Sequence, residues 1–508
     1  MSHECLVLKG TENQALAIGR YATDFMAGRW GEPSEAVYQK VEQFHLDSIA
    51  CGVSALALGA NAPRVLRQEA LEYDCRAPER GAALLGSRVS VKPEKAVVAN
   101  SSAVREWDAN GTNFGYNPAR GATRGEFGHN DYYPVVVAAA QLRGLDGRET
   151  LRGMILLDEI RGRLAEVFAL KDHKIDHVVH GAIGSAATFG AVMGATPEQI
   201  ESAIGLVVAH YIPFRAIRAG KQLSDSKGAS AAISAEAAVL SMRRAMRGFA
   251  GPADIFRNPE AIFCLFERPA EAHSSPFDLA LGTTGDDFAV MGMHFKLGLY
   301  EHQSAGAIQG LLDLLTAHPR LLDNPDALEA LRITIYQPAF GIIGDPAKRD
   351  PRTRQSADHS MVYIVATLLR KAFQLRGAGW RELMLVPGDY DEHSLFDPLT
   401  RKIMERIEFR HGGREYDDKY PDGIPTTIEI KQQGKDWLSS GLIMYPLGHA
   451  RNESGDLPTV LEHKFRTLAA LGVDDVDALY RRFTGLAKKS AADIASLYDF
   501  EIKGLSRR

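Results

Sequence analysis

Histidines and lysines recur in this chain where a helix is about to begin. In RTRQSADHSMVYIVATLL (Arg352 to Leu369) an apolar helix follows Asp358 and His359, with Arg352 and Arg354 just upstream. In GEFGHNDYYPVVVAAAQL, His129 precedes a helix start signalled by Asn130, Asp131 and Pro134. His177 follows Asp176 at the entry of the small-residue helix in KIDHVVHGAIGSAATFG. Lys227 falls in the first turn after the N-cap candidates Ser224 and Asp225. Lys296 stands shortly before, and His302 at, the opening of the helix in HFKLGLYEHQSAGAIQGLLDLL. The positive end of the helix dipole disfavours such groups by a few tenths to ~1 kcal/mol. They become favourable when an anion sits among the free backbone N–H groups. If these helix starts converge, they make a polyanion site whose histidines, titrating near neutrality, can also move protons. Spacing along the chain does not separate convergence from coincidence.

Other candidates have simpler readings. His180 lies three residues after His177, a spacing open to a metal, but no carboxylate or third histidine stands at helical spacing, so no metal site is expected. His45 and His210 lie in apolar helical segments and read as core histidines. Arg218 and Lys221 read as a solvated loop. Arg120 and Arg124, in NPARGATRGEFG, read as an exposed loop in preference to a clamp on a carboxylate. Cys5, Cys51, Cys75 and Cys264 are scattered outside CxxC spacing, which excludes a zinc ribbon or a local iron–sulfur motif and suits a reducing compartment.

The elements that must position these groups are mostly helical. At 508 residues the chain exceeds a single-core limit, and 45% hydrophobic with 24% charged residues is a globular composition. A net charge of −5 gives no reason to expect nucleic-acid binding, so the positive charge for an anionic substrate must be local. The start MSHECLVLKGTENQ lacks the features of a signal or transit peptide, and no apolar run approaches ~18 residues. A cytoplasmic protein with no membrane partner is expected. From Thr11 to about Gly248 the apolar spacing predicts helix almost throughout. Beyond Asp286, Ile333 to Tyr336 and Ile407 to Arg410 read as strands, and TTIEIKQQGKDWLSSGLIMYP as a hairpin turning at Gln433 to Lys435. From Val460 the pattern returns to helix. The reading is a mainly α protein: a helical domain (residues 1–291), an inserted α+β lid (292–446), and C-terminal helices (447–508) that pack on the first domain.

DPAKRDPRTRQSADHSMVYIVA (Asp345 to Ala366) resembles a hallmark of the 2-methylcitrate dehydratase, or MmgE/PrpD, family, which includes cis-aconitate decarboxylase. WDANGTN, EFGHND, IDHVVHGAIGSAAT, SDSKGASAA, HFK…YEHQSA and MYPLGHARN follow in family order over nearly the whole chain. The resemblance implies a large helical domain with an α+β lid, usually a homodimer, and a site between them that uses no metal or organic cofactor. By motif, Asp108 and Thr112 match the aspartate-rich loop, His129 and His177 two active-site histidines, and Lys227 and Lys296 two lysines. His302 and His359 fall at recurrent lid positions; Thr112, His302, Arg354 and His359 are expected to bind the substrate, and with Arg352 and Arg354 beside it His359 is expected to face the anion. Two departures stand out. The family loop commonly reads Asp-Phe-Asn/Asp-Asp-Thr, whereas here it is Asp108-Ala109-Asn110-Gly111-Thr112, and His129 is followed by Asn130-Asp131 instead of Pro-Ser.

Dehydrating a citrate-like acid means removing a weakly acidic C–H proton beside a carboxylate and protonating a leaving hydroxyl. Lys227 and Lys296 suit carboxylate binding, and His129 and His177 suit proton transfer. Asp108 is either the orienter of a histidine or the base. The expected activity is a hydro-lyase on 2-methylcitrate or a close analogue among the di- and tricarboxylates. Decarboxylation, isomerisation or epimerisation of the same substrate class is the alternative, and non-catalytic polycarboxylate binding a further one.

Overall fold

The computed structural model describes residues 5–75, 80–218, 222–342 and 348–505. Lys221, residues 345–347 of the DPAKRD segment and the side chain of Arg218 lie outside that description. Helix takes up 53% of the chain and strand 10%, in keeping with the mainly α reading. Helices α1 (Gln14–Met26), α2 (Glu35–Ala57), α3 (Asn61–Leu71), α4 (Pro93–Arg105), α5 (Tyr133–Arg143), α6 (Gly147–Val167), α7 (Val178–Met193), α8 (Pro197–His210) and α9 (Ser226–Ala245) build the first half. Their starts are chemically marked. Asn13 caps α1 by accepting the Leu16 N–H at 3.1 Å, and Asp146 with Glu149 and Thr196 with Gln199 close reciprocal boxes on α6 and α8.

Helix α7 runs through the middle, packed by α5, α6, α8 and α9. Its small residues permit this. A Cβ on Gly181 would come within 2.2 Å of the Tyr132 ring, and one on Gly184 would crowd the Leu157 carbonyl at 3.1 Å. The buried length of α7 fixes the depth and direction of its N-terminus, where His177 sits as the N-cap residue.

Strands are short in the first half. β1 (Cys5–Leu8), β2 (Ala82–Ala83), β3 (Ser90–Val91), β4 (Thr112–Phe114), β5 (Glu126–His129) and β6 (Leu279–Gly282) form the antiparallel pairs β1–β6, β2–β3 and β4–β5. The expected strands after Asp286 belong to one sheet of β7 (Leu328–Ile335), β8 (Ile407–His411), β9 (Thr426–Gln432) and β10 (Leu438–Ser439), in order β10-β9-β7-β8. β7 and β8 run parallel, and β9 pairs antiparallel with β7 and with β10. β9 alternates buried and half-exposed residues and lays its buried side on the helix Ala305–Ala317. The hairpin turn carries Gly434 at φ +69°. β7 starts earlier than the ITIY reading, because Leu328 already pairs with Gln432 of β9.

The helices Leu457–Ala469 and Val476–Phe483 return to the first half, and the former packs along α2. No single helix among the described residues is long and apolar enough to cross a membrane.

Candidate active site

The scattered helix starts converge. Asp108, Thr112, His129, His177, Lys227, Lys296, His302 and His359 all line one cavity of about 90 Å³. Each arrives on its own element. Asp108 follows the end of α4, and Thr112 and His129 face each other across the β4–β5 pair. His177 caps α7, and Lys227 lies in the first turn of α9. Lys296 comes on the extended run after Gly292, and His302 opens the turn into the helix Ala305–Ala317. His359 stands one residue before Ser360, whose hydroxyl caps the helix Met361–Leu375 by accepting the Tyr363 N–H.

Asp108 is the electrostatic hub. Lys296 pairs with one of its oxygens, Arg105 lies 3.3 Å from that oxygen, and Lys227 and His359 lie 3.8 and 3.1 Å from the other. Burial pushes its pKa up, but Lys296, Arg105, His359 and Lys227 outweigh it and hold the carboxyl well below the ordinary range. Asp358 lies behind, 2.5 Å from the Lys227 ammonium and 3.1 Å from Arg354. Its pKa falls to about 2, because Lys227 and His359 outweigh the cost of burial. Burial lowers the Lys227 ammonium to about 8 against the pull of Asp358 and Asp108, and it lowers Lys296 as well.

Three of the cavity histidines, His129, His302 and His359, are held neutral. Burial first, then Arg105 and Lys296, push the pKa of His129 well below its ordinary value; burial and Lys227 bring His359 to about 4. Their tautomers follow from their neighbours. Arg105 donates to Nε2 of His129 at 3.4 Å, so the proton of that ring is on Nδ1, which is buried with no hydrogen-bond partner among the described residues. His359 is the reverse. Its Nδ1 lies 2.9 Å from Asp358 and 3.1 Å from Asp108, so that nitrogen carries the proton and Nε2 keeps its lone pair. The His129 and His177 rings meet edge to face at 5.4 Å. Both nitrogens of His302 are buried without a partner among the described residues, while its ring stacks on His294, which in turn stacks on His449.

Several expectations need correction. Arg354 does not line the cavity: it binds Glu106 and Asp358, and its guanidinium lies over the Trp107 ring, so it supports the wall from behind. Arg352 is exposed and pairs with Asp350 at 2.9 Å. His210 is exposed in the last turn of α8, not in the core. His45 is in the core, but neither ring nitrogen has a hydrogen-bond partner among the described residues. Arg120 pairs with Asp287, and Arg124 bridges Asp172 and Glu267; neither lines the cavity. The sequence predicts no histidine–carboxylate cluster, yet Asp108, Asp358 and His359 bring ligand-type atoms within 4.8 Å of one another. The two carboxylates are already engaged by Lys296, Lys227, Arg105 and Arg354, so a dication would have to displace ammonium and guanidinium groups.

The cavity also takes side chains that the sequence did not single out: Arg105, Arg215, Glu301, Gln303 and Lys348. A signal existed for some. Arg105 stands three residues before Asp108, and Glu301 and Gln303 flank His302 in YEHQSA. A larger cavity of about 280 Å³ lies beyond the β4–β5 pair, lined in part by Glu126, Arg163, Asp287, His294 and Arg451. Its arginines are committed to carboxylates, Arg163 to Glu159, Glu166 and Asp287, and Arg451 to Asp422, so it offers an anion little.

A 2-methylcitrate dehydratase of Salmonella typhi is 22% identical over 460 residues, covering 85% of this chain and 86% of its own. The Cupriavidus necator enzyme of that name is 23% identical, covering 86% of this chain and 87% of its own. The mitochondrial 2-methylcitrate dehydratase of Yarrowia lipolytica is 24% identical, covering 70% and 71%. The MmgE/PrpD N-terminal domain matches residues 18–274 and the MmgE/PrpD C-terminal domain residues 300–482, so that both halves contributing to the cavity are accounted for, and the chain belongs to the MmgE/PrpD family.

Proposed function

We propose that the chain is a hydro-lyase that dehydrates 2-methylcitrate, or a close hydroxy-tricarboxylate, to the corresponding cis-alkene by general acid–base chemistry. The observation that carries this reading is the charge of the cavity wall. In a chain of net charge −5, Arg105, Arg215, Lys227, Lys296 and Lys348 line one small space, where the acids among the described lining residues are Asp108 and Glu301, with Asp358 behind Lys227. A wall this rich in cations suits a polycarboxylate. Lys227 and Lys296, already positioned by Asp358 and Asp108, stabilise the charge that develops when the C–H proton leaves. His359 is the base: its free Nε2 takes the proton, while the carboxylates on Nδ1 stabilise the imidazolium that forms. A bound trianion raises the pKa of this histidine from about 4 toward a useful value. Asp108, surrounded by cations, is too weak a base itself, which favours the orienting role for it. His129 donates from Nδ1 to a substrate carboxylate, with His177 beside it.

Purified protein assayed against a panel of hydroxy-tri- and dicarboxylates tests this. Ultraviolet absorbance of a new conjugated alkene is expected with 2-methylcitrate or a close analogue. Carbon dioxide release from an unsaturated tricarboxylate would assign the cavity to decarboxylation, and saturable binding without any product would leave it a binding site.

A further inference from the structure

Two carboxyls share the cavity wall, and their surroundings drive them apart. Asp108 touches Lys296, Arg105 and His359, whereas Glu301 makes no ion pair among the described residues. Burial first and the charge of Asp108 second push the Glu301 carboxyl up to about 8, so it keeps its proton at neutrality. A pair of titratable groups pushed in opposite directions within one cavity divides acid from base.

The position of Glu301 is fixed by main chain on both sides. Its N–H donates to the Asp358 carbonyl at 2.8 Å, and its own carbonyl accepts the Ser304 N–H at 3.0 Å. Its Oε2 accepts the Gln303 N–H at 2.9 Å, which orients the carboxyl, while Oε1 has no hydrogen-bond partner among the described residues. The side-chain amide of Gln303 on the same wall is likewise buried with neither atom partnered among the described residues. His359 and Lys227 line the same cavity. A proton donor that is not spent on the protein thus faces the space in which substrate would lie.

We propose that Glu301 is the general acid of the dehydration, delivering its carboxyl proton to the departing hydroxyl. The inference rests on the hydro-lyase reading above. The base takes the C–H proton, and the C–H electron pair becomes the second bond of the alkene. The C–O bond breaks with its pair going to oxygen, which takes the Glu301 proton and leaves as water. Glu301 remains as a carboxylate and is reprotonated from solvent after product leaves.

The test compares wild type with Glu301→Gln on the hydroxy acid and on its analogue with chlorine in place of the hydroxyl, which needs no proton to leave. On the hydroxy acid, Glu301→Gln should lower kcat by about 10²-fold or more with little change in KM. On the chloro analogue the loss should stay under about tenfold, since that departure makes no use of the acid. Wild-type kcat/KM, which reports the free enzyme, should fall above pH about 8, where both Glu301 and Lys227 lose a proton, and in Glu301→Gln the limb should keep only the shallower, one-proton slope of Lys227. Should the glutamine variant prove unfolded by circular dichroism, the two-proton slope of the wild-type alkaline limb and Glu301→Asp, expected to keep that slope at a reduced rate, decide instead. A glutamine variant within about threefold of wild type, equal losses on both substrates, or a wild type with no alkaline limb overturns the assignment. Those results arise only where the wild type dehydrates a hydroxy acid; a wild type that dehydrates none overturns the hydro-lyase reading and this assignment with it.

Discussion

Lys227 shows how a residue's role changes once its neighbours are known. As an isolated lysine at a helix start it reads as a carboxylate grip on the substrate, removable without harm to the fold. In place it is buried 2.5 Å from Asp358 and 3.8 Å from Asp108, so its loss strips a cation from two buried carboxylates. Lys227→Ala is therefore expected to cost ~2–5 kcal/mol in kcat/KM and to lower the melting temperature as well. Lys227→Arg should restore little, because a planar fork does not fill the place of a compact ammonium. A near-normal kcat/KM in the alanine variant would remove Lys227 from the chemistry. His359 moves in a similar way. Its pairing with two aspartates shifts the expected effect of His359→Asn from KM to kcat, by at least ~10²-fold; a variant altered in KM alone would make it a binding group. The missing acid of the Asp108 loop also has a local cause. A Cβ on Gly111 would come within 2.0 Å of the Asn130 side-chain oxygen and 2.4 Å of the Phe44 ring, and the Asn130 N–H donates to the Gly111 carbonyl at 3.2 Å. Proline at 130 could not make that bond, so the two departures from the family pattern are one packing solution. Gly111→Ala should cost ~1–3 kcal/mol or more by thermal unfolding, against little effect if the loop can shift.

At the scale of elements, the site is held from behind by a helix that contributes nothing to its lining. Lys464, on Leu457–Ala469, is fully buried, 2.5 Å from Asp47 of α2 and 2.8 Å from the Lys296 carbonyl, and it also binds the Ala109 carbonyl. One ammonium thus ties the C-terminal helix to α2, to the Asp108 loop and to the segment of Lys296. Lys464→Met should destabilise by ~3–5 kcal/mol, because it leaves Asp47 buried and unpaired, and should lower kcat through the displaced Lys296. The double variant with Asp47→Leu should recover much of the stability and less of the activity. If the single variant melts like wild type, the tie is not structural. Helix α7 acts in a complementary way: its glycines let Tyr132 and α6 close in, and that closeness brings His177 to His129.

For the whole molecule, buried groups held neutral set the pH range of stability. His45, His180, His359 and His449 have pKa values lowered by burial to about 3, 4, 4 and 4. The unfolded chain takes up protons at these positions below about pH 6.5 while the folded protein does not, so stability should fall as pH drops from there toward 4. Glu126 and Glu301, raised to about 7 and about 8 by burial, work from the other side. The folded state keeps their protons above about pH 4.3, where the unfolded state releases them, so their contribution is lost as pH rises through 7 to 8. A maximum between these limits is expected in the melting temperature. His45→Phe should flatten the acid side and raise stability at neutrality, since both nitrogens of His45 are buried without a partner among the described residues. An unchanged acid slope would show that His45 is not among the groups responsible.

Much was legible from local pattern. Helical spacing, caps and the period-two run of β9 depend on neighbours a few residues away, so the mainly α class and the strands after Asp286 followed from sequence. The family motifs, with the helix-start anomaly at His129, His177, Lys227, His302 and His359, likewise marked most of the cavity wall. What the sequence could not supply was which charges meet. Asp108 and Lys296 are separated by 188 residues, and Lys227 and Asp358 by 131, and no local rule pairs them. Arg354 looked like a substrate ligand because it stands beside His359 in sequence, yet the fold turns it onto Glu106 and Trp107. Glu301 was not singled out by the sequence at all, although it stands directly before His302. Burial and the nearby charge of Asp108, with no ion pair among the described residues, make it a proton donor, because the cost of an ion is set by what surrounds it in three dimensions and not by its place in the chain.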